Sequence, residues 1–253
     1  MDLGLRGLKA LVSGGTKGIG RAIVDTLAAE GAHVALCARQ ATEVDATLAA
    51  LRAQGATVVG RALDVSDAPA LQAWVTDAAR ELGGLDIVIA NVSALAIPST
   101  EDNWRKEFEV DLMHTVRMVT TAMPYLAQSL HPAIVTISSV SGREIDFAAG
   151  PYGTFKAALI HYTQGLAYQL ASKGIRANTV SPGNTYFPGG VWQQIEHGNP
   201  QLFKDALALN PTGRMGTPQE MANAVVFLAS PAASFVTGTN LVVDGALTRG
   251  VQF

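Results

Sequence analysis

The stretch Ser13-Gly14-Gly15-Thr16-Lys17-Gly18-Ile19-Gly20 follows a short apolar run, Leu8–Val12. It leads into a segment where Ile19, Ile23 and Leu27 recur at helical spacing, as far as Gly31. A buried strand, a glycine turn and a helix are therefore expected in that order. Glycines let a backbone turn sharply and approach a pyrophosphate closely. The helix behind the turn directs free N–H groups and a positive dipole end at such an anion. The spacing is G-x-x-x-G-x-G rather than G-x-G-x-x-G, and a glycine cluster means little alone in a chain with 25 glycines. Its place between the first strand and the first helix gives it weight as a dinucleotide site.

Outward from this turn the same alternation repeats. Strands are predicted at His33–Ala38, Thr57–Leu63, Leu85–Ala90, Ala133–Ser138, Ile175–Ser181 and Asn240–Val243. Helices are predicted at Thr42–Gln54, Ala68–Leu82, Trp104–Leu130, Tyr152–Ser172 and Pro218–Ala229. Such alternation implies an α/β fold, a doubly wound parallel sheet of Rossmann type in three αβα layers, with ligands bound beyond the carboxyl ends of the strands. No linker divides residues 1–253, so one dinucleotide-binding and catalytic domain is expected. Only Gly183–Pro211 breaks the rhythm; it carries Tyr186, Phe187, Trp192 and Phe203 and reads as a substrate loop or lid at about 184–211.

Composition narrows the function classes. The net charge of -3 and the lack of a basic run argue against nucleic acid and anionic membrane as partners. The longest apolar stretch, Leu85–Pro98, is interrupted by Asp86, Asn91 and Ser93, so no membrane span is expected. Cys37 is the only cysteine, which rules out an intramolecular disulfide and argues against a zinc cluster. With no signal-peptide layout in Met1–Thr16, a cytoplasmic protein is expected.

The second strand bears on which dinucleotide is bound. A carboxylate at its end would bind the ribose hydroxyls of NAD and repel the extra phosphate of NADP. The end reads Cys37-Ala38-Arg39-Gln40, without an acid. Arg39 and Lys17 are each as readily solvated cations as phosphate ligands, but together they favour NADP(H) over NAD(H). Asp64, ending the third strand, suits the adenine amino group or a helix cap, although Ser66 and Asp67 are better placed to cap.

Tyr152 and Lys156 lie on one face of a helix at i, i+4 spacing. A neighbouring ammonium stabilises a phenolate, so Lys156 is expected to lower the Tyr152 pKa toward neutrality. Ser139, at the end of the preceding strand, is suited to holding a carbonyl oxygen. The pair alone is weak, but the ordered set is specific. Here the sequence resembles the classical short-chain dehydrogenase/reductase family along essentially its whole length. Ser13–Gly20 is similar to that family's Thr-Gly-x-x-x-Gly-x-Gly turn, and Asp64-Val65 to its adenine-contacting Asp-Val pair. Ser139, Tyr152 and Lys156 match its catalytic residues, Ser181-Pro182-Gly183 its Pro-Gly turn beside the nicotinamide, and Val243-Asp244-Gly245 its C-terminal signature. The resemblance implies cofactor contacts from Ser13, Gly14, Thr16, Lys17, Gly18, Ile19, Gly20, Arg39, Asp64, Val65, Asn91, Tyr152, Lys156, Pro182, Gly183 and Thr185. Thr185 would touch the carboxamide and Lys156 the nicotinamide ribose.

Two departures stand out. Ala90-Asn91-Val92-Ser93 replaces the family's Asn-Asn-Ala-Gly, and Asp111 takes the place of the fourth catalytic residue, an asparagine that helps hold a proton-relaying water. An ionised aspartate accepts hydrogen bonds but cannot donate them, and it attracts Lys156. His114, one turn on, is expected at the helix surface or as a partner of Asp111. The expected reaction is reversible reduction of a ketone or aldehyde, with Ser93, Phe147, Tyr186, Phe187 and Trp192 lining an apolar pocket for an aromatic, alicyclic or steroid-like small molecule. A 3-oxoacyl-[acyl-carrier-protein] reductase, docking its carrier through Arg143 and Lys204, and a non-catalytic NADP(H)-binding regulator are the competing readings. The resemblance also implies a homotetramer, with Leu112–Val119 and Ala157–Ala167 as candidate subunit contacts.

Overall fold

The computed structural model describes residues 2–251. Its strands are β1 Lys9–Ser13, β2 His33–Ala38, β3 Val58–Ala62, β4 Ile87–Ala90, β5 Ala133–Ile137, β6 Arg176–Pro182 and β7 Asn240–Val243. They form one parallel seven-stranded sheet in the order β3-β2-β1-β4-β5-β6-β7. The helices are α1 Gly18–Ala29, α2 Ala41–Ala53, α3 Ala68–Leu82, α4 Glu101–Glu107, α5 His114–Leu126, α6 Pro151–Leu170, α7 Val191–Gly198, α8 Pro200–Leu209 and α9 Pro218–Ala229.

The period-two alternation of each strand divides its side chains between two cores. In β1, Ala10 and Val12 join Ile23 and Leu27 of α1, Leu48 of α2 and Val225 of α9 on one face. Leu11 joins Trp74 of α3, Met118 of α5 and Leu166 of α6 on the other. This doubly wound α/β arrangement is the one expected from the alternation. Strand order reverses between β1 and β4, and a crevice opens there at the carboxyl ends of the strands.

Local chemistry explains the better-defined element ends. Asp67 caps α3 by accepting the Ala70 N–H, and Gly83 ends it in the left-handed region. Thr217 and Glu220 form a capping box around Pro218 at the start of α9. The expected single helix Trp104–Leu130 is instead α4 and α5 joined by a π-helical turn over Phe108–Met113, and it stops at Leu126. The wider turn admits one extra residue, which apolar periodicity does not register. Pro132 follows closely and disfavours helix at His131. The irregular segment Gly183–Pro211 contains α7 and α8, separated at Asn199, whose side chain caps α8, and Pro200. Its Trp192 and Ala206 form a small separate core with Met215, just beyond the segment.

The glycine turn depends on close backbone approach. A Cβ on Gly20 would lie 2.0 Å from the Gly14 carbonyl oxygen and 2.5 Å from Asn91 Nδ2. Alanine gains about 1 kcal/mol over glycine inside a helix, whereas overpacking against rigid backbone costs about 1–3 kcal/mol or more. Gly20→Ala is therefore expected to destabilise the protein by about 1–2 kcal/mol, measured as a lower urea midpoint at unchanged slope.

Candidate active site

The crevice has a volume of about 1080 Å³. At one end lies the glycine turn. Helix α1 begins without a side-chain cap and with no acid in its first turn, so its free N–H groups face the crevice uncompensated. Asn91 at the end of β4 donates from Nδ2 to the carbonyls of Ser13 and Gly14, at 3.2 and 3.3 Å. These contacts pin the turn to the neighbouring strand.

Gly14, Thr16, Lys17, Gly18, Ile19, Gly20, Arg39, Asp64, Val65, Asn91, Pro182, Gly183 and Thr185 all line the crevice, as do Ser139, Tyr152 and Lys156. The cap-free helix and the glycine turn before it, both on the crevice wall, fit a diphosphate group. Asp64 accepts the Ser66 N–H and hydroxyl at 2.9 and 2.7 Å, which hold its carboxyl below the usual range, and Asp67 does the capping. Ser13 is a correction: it is fully buried, in contact with His114 Nε2 at 3.0 Å and accepting the Asn91 N–H at 3.0 Å, so it supports the turn from behind.

Lys17 is paired with Glu43 at 2.5 Å. That ion pair holds the Glu43 carboxyl below its usual range, with Arg39 adding to the effect. Glu43 also lines the crevice. It sits in the first turn of α2, beyond the strand end where an acid was sought, so sequence reading missed it.

At the opposite end, α6 carries Tyr152 and Lys156 across the end of β5. Ser138 donates to the Lys156 carbonyl at 2.7 Å, and Thr136 contacts Thr163 at 2.8 Å. A Cβ on Gly142 would lie 2.7 Å from the Lys156 carbonyl carbon, so α6 is tightly seated. Lys156 Nζ donates to the Ile137 carbonyl at 3.0 Å and lies 3.0 Å from Asp111 Oδ2. It is also 5.5 Å from the centre of the Tyr152 ring. Burial opposes the charged lysine most strongly, but Asp111, with Tyr152 and Glu107, raises the Lys156 pKa above its usual value. The Ser139 hydroxyl accepts the Ser141 N–H at 3.2 Å and lies on the same crevice wall as Tyr152.

The Tyr152 pKa is pushed above its ordinary 10 by burial, against the opposing pull of Lys156 and Ser139. The expected lowering toward neutrality is therefore reversed, and Tyr152 is a neutral phenol suited to donating a proton. Asp111 is fully buried behind Lys156 rather than on the crevice wall. Burial favours its neutral form, yet Lys156 and the Ala94 N–H hold its carboxyl below the usual range.

His114 is buried rather than at the helix surface, between Ser13 and the Val110 carbonyl, which its Nδ1 meets at 2.8 Å. Burial lowers its pKa to about 4. Glu107 is another residue that sequence reading missed. It is fully buried although its neighbour Phe108 is 40% exposed, an inversion of the usual pattern that the π turn produces.

Of the expected substrate residues, Ser93, Phe187 and Trp192 line the crevice. Phe187 packs over Gly18, where an added Cβ would meet its ring at 2.5 Å, so it lies on the dinucleotide side. Phe147 and Tyr186 do not line the crevice. Phe147 is 56% exposed and meets Trp192 edge-on at 6.0 Å. Tyr186 packs in the small core and donates to Glu196 at 2.5 Å.

A family profile described as Enoyl-(Acyl carrier protein) reductase matches residues 14–248. The isoepoxydon dehydrogenase of Penicillium expansum is 40% identical over 260 residues, covering 100% of this chain and 99% of that protein. The chain belongs to the short-chain dehydrogenase/reductase family. The dehydrogenase/reductase SDR family member 4 of Sus scrofa is 34% identical, covering 93% of this chain and 85% of that protein. Among solved structures, a short-chain dehydrogenase/reductase assignment from Burkholderia xenovorans matches with a TM-score of 0.90 at 36% identity, over 96% of this chain and 97% of that one. An NADPH-bound short-chain oxidoreductase from Pseudomonas aeruginosa PAO1, described as containing an atypical catalytic center, matches with a TM-score of 0.88 at 30% identity, over 96% and 98%. This short-chain dehydrogenase/reductase is an oxidoreductase that interconverts carbonyl and alcohol groups with a nicotinamide cofactor. No helix among the described residues is long and apolar enough to cross a membrane.

The buried neutral imidazole of His114 couples stability to pH. Its folded value of about 4 lies below the ordinary 6.5. The unfolded chain therefore takes up a proton first as pH falls, and stability is lost from 6.5 downward through about 4. His114→Gln is expected to remove a slope worth on the order of 3 kcal/mol in total. Urea midpoints of both proteins across that pH range measure the difference.

Proposed function

We infer that this enzyme reversibly reduces a ketone or aldehyde with NADP(H) in preference to NAD(H), acting on a small apolar, aromatic, alicyclic or steroid-like substrate. The observation that carries this reading is the convergence of Ser139, Tyr152 and charged Lys156 at one end of a crevice whose other end is an uncapped glycine turn. Thr16, Gly18, Ile19 and Gly20 would hold the diphosphate and Asp64 and Val65 the adenine. Arg39 would hold the 2′-phosphate, together with Lys17 once it leaves Glu43. Pro182, Gly183 and Thr185 would lie beside the nicotinamide, and Lys156 would bind its ribose. When bound, the nicotinamide supplies or accepts a hydride.

The chain's own residues do the rest. The Ser139 and Tyr152 hydroxyls hold and polarise the substrate oxygen. Tyr152 gives it a proton, and the Lys156 ammonium stabilises the phenolate left behind. Leu95, Val191 and Trp192 form the apolar part of the wall, Ser93 lies beside them, and Phe147 and Tyr186 support Trp192 or its surroundings from outside. Residues 184–211 act as the lid over this end. The half-exposed aromatic group of Trp104, Phe108 and Phe155, beside Leu112–Val119 and Ala157–Ala167, supports assembly into a homotetramer. The composition supports a cytoplasmic setting.

Tyr152→Phe is expected to leave NADPH binding intact and to lower ketone reduction by about 100-fold or more; full activity in this variant would overturn the mechanism. Arg39→Ala is expected to weaken NADPH binding by about tenfold or more while leaving NADH nearly unchanged. Parallel titrations with both cofactors, followed by a ketone panel, test cofactor preference and substrate class together. Sedimentation at micromolar concentration should show a tetramer, and a monomer would count against it.

A further inference from the structure

Two carboxyl groups lie where the family pattern has one asparagine. Glu107 closes α4 and Asp111 sits four residues on, across the π turn, and both are fully buried. Glu107 Oε1 accepts the Ala96 N–H at 2.6 Å, and Asp111 Oδ1 accepts the Ala94 N–H at 2.8 Å. Of the remaining oxygens, Asp111 Oδ2 faces the Lys156 ammonium at 3.0 Å, and Glu107 Oε2 takes no hydrogen bond among the described residues. Each carboxyl acts on the other: Asp111 raises the Glu107 pKa, and Glu107 helps to lower that of Asp111.

One cation compensates this pair. Lys156 of α6 lies 3.0 Å from Asp111 Oδ2. Tyr152, beside that ammonium, is neutral, and so is His114, one turn beyond Asp111. Arg105 and Lys106, next to Glu107 on α4, are exposed. Two carboxylates four residues apart, out of water and drawing on one ammonium, do not both stay ionised. A protonated Glu107 donates a hydrogen bond, which would give its orphaned oxygen a partner on Asp111.

We propose that Glu107 and Asp111 share one proton between Oε2 and Oδ2, and that this proton is a reserve that restores Tyr152 through Lys156 after each carbonyl reduction. The second half rests on the reading of Tyr152 as proton donor. Tyr152 transfers its phenolic proton to the substrate oxygen and is left as phenolate. Lys156 yields one N–H proton toward that phenolate and regains one from Asp111, which takes the proton held by Glu107. In sum, the Glu107 carboxyl ionises, the phenol is neutral again, and Lys156 and Asp111 are unchanged. One proton from water then resets the pair, and alcohol oxidation runs the same transfers backward. Burial and Asp111 push the Glu107 carboxyl up to about 8, whereas Tyr152 lies above 10, so transfer to the phenolate is downhill. Glu107 is in these terms a positioning residue, acting through Lys156.

Infrared difference spectra of the cofactor-free protein test the shared proton without turnover. The wild type should show a protonated-carboxyl stretch near neutral pH that disappears as pH passes through about 8. Glu107→Gln should lack it. The glutamine keeps an oxygen for the Ala96 N–H and offers an N–H to Asp111, so the fold is expected to survive. Asp111→Asn is the second variant: its amide donates to Glu107, which then ionises against Lys156, and the stretch again disappears near neutrality.

In carbonyl reduction, wild-type kcat should fall about tenfold per pH unit above the Glu107 ionisation, the slope of one required proton. Glu107→Gln should lower kcat about tenfold or more at unchanged KM and lose that alkaline limb. Absence of the stretch in the wild type near neutrality overturns the shared proton, whatever the kinetics. A stretch that behaves as expected, with full kcat and an unchanged pH profile in Glu107→Gln, overturns the reserve. Full activity of Tyr152→Phe would instead fault the donor reading and leave the infrared result standing.

Discussion

The ammonium of Lys156 is buried, and the surrounding elements keep it charged. Desolvation of a lone ammonium costs several kcal/mol, so the charge persists only with a counter-ion and hydrogen-bond acceptors within reach. Asp111 supplies the counter-ion and the Ile137 carbonyl an acceptor. Both depend on longer-range structure. Ile137 ends β5, Asp111 is aimed inward by the π turn, and α6 is held against β5 by Ser138, Thr163 and the absence of a side chain at Gly142. The Tyr152 hydroxyl is placed beside Ser139 by the same helix.

The other end of the crevice is set by backbone contact rather than charge. Gly20 lets α1 approach the Gly14 carbonyl, and Asn91 joins the turn to β4. Ser13 and His114 join that region to α5. One helical stretch thus supports both ends: Asp111 pairs with Lys156, and His114, immediately beyond the π turn, contacts the end of β1. Retention of Asn91 in the altered Ala90-Asn91-Val92-Ser93 segment is understandable in these terms, because its side chain bonds the turn whatever flanks it.

Much of this was legible in the chain because it rests on local rules. Strand–helix alternation, the glycine turn, the Pro218 helix start and the i, i+4 relation of Tyr152 and Lys156 need only neighbouring residues. So does the missing acid after β2. Other features escaped. Ser13 looked like part of the phosphate cradle, but its hydroxyl points to His114 and Asn91. Phe147 and Tyr186 had the right chemistry for a pocket wall, yet one lies outside Trp192 and the other packs in the core of the 184–211 segment. Glu43 lies a turn beyond the strand end, and Glu107 is turned inward by an extra residue per turn that periodicity does not reveal.

The sequence by itself determined the layered α/β architecture, the order of its elements and a set of candidate groups for binding a dinucleotide and moving a proton, because periodicity, glycine placement and side-chain type carry those directly. Only the tertiary structure decided which protons those groups hold. Burial keeps Tyr152 a neutral phenol, makes His114 a neutral imidazole, and gathers the Glu107 and Asp111 carboxyls near one ammonium. Protonation depends on desolvation and on charges brought close from distant parts of the chain, and neither quantity exists until the chain is folded.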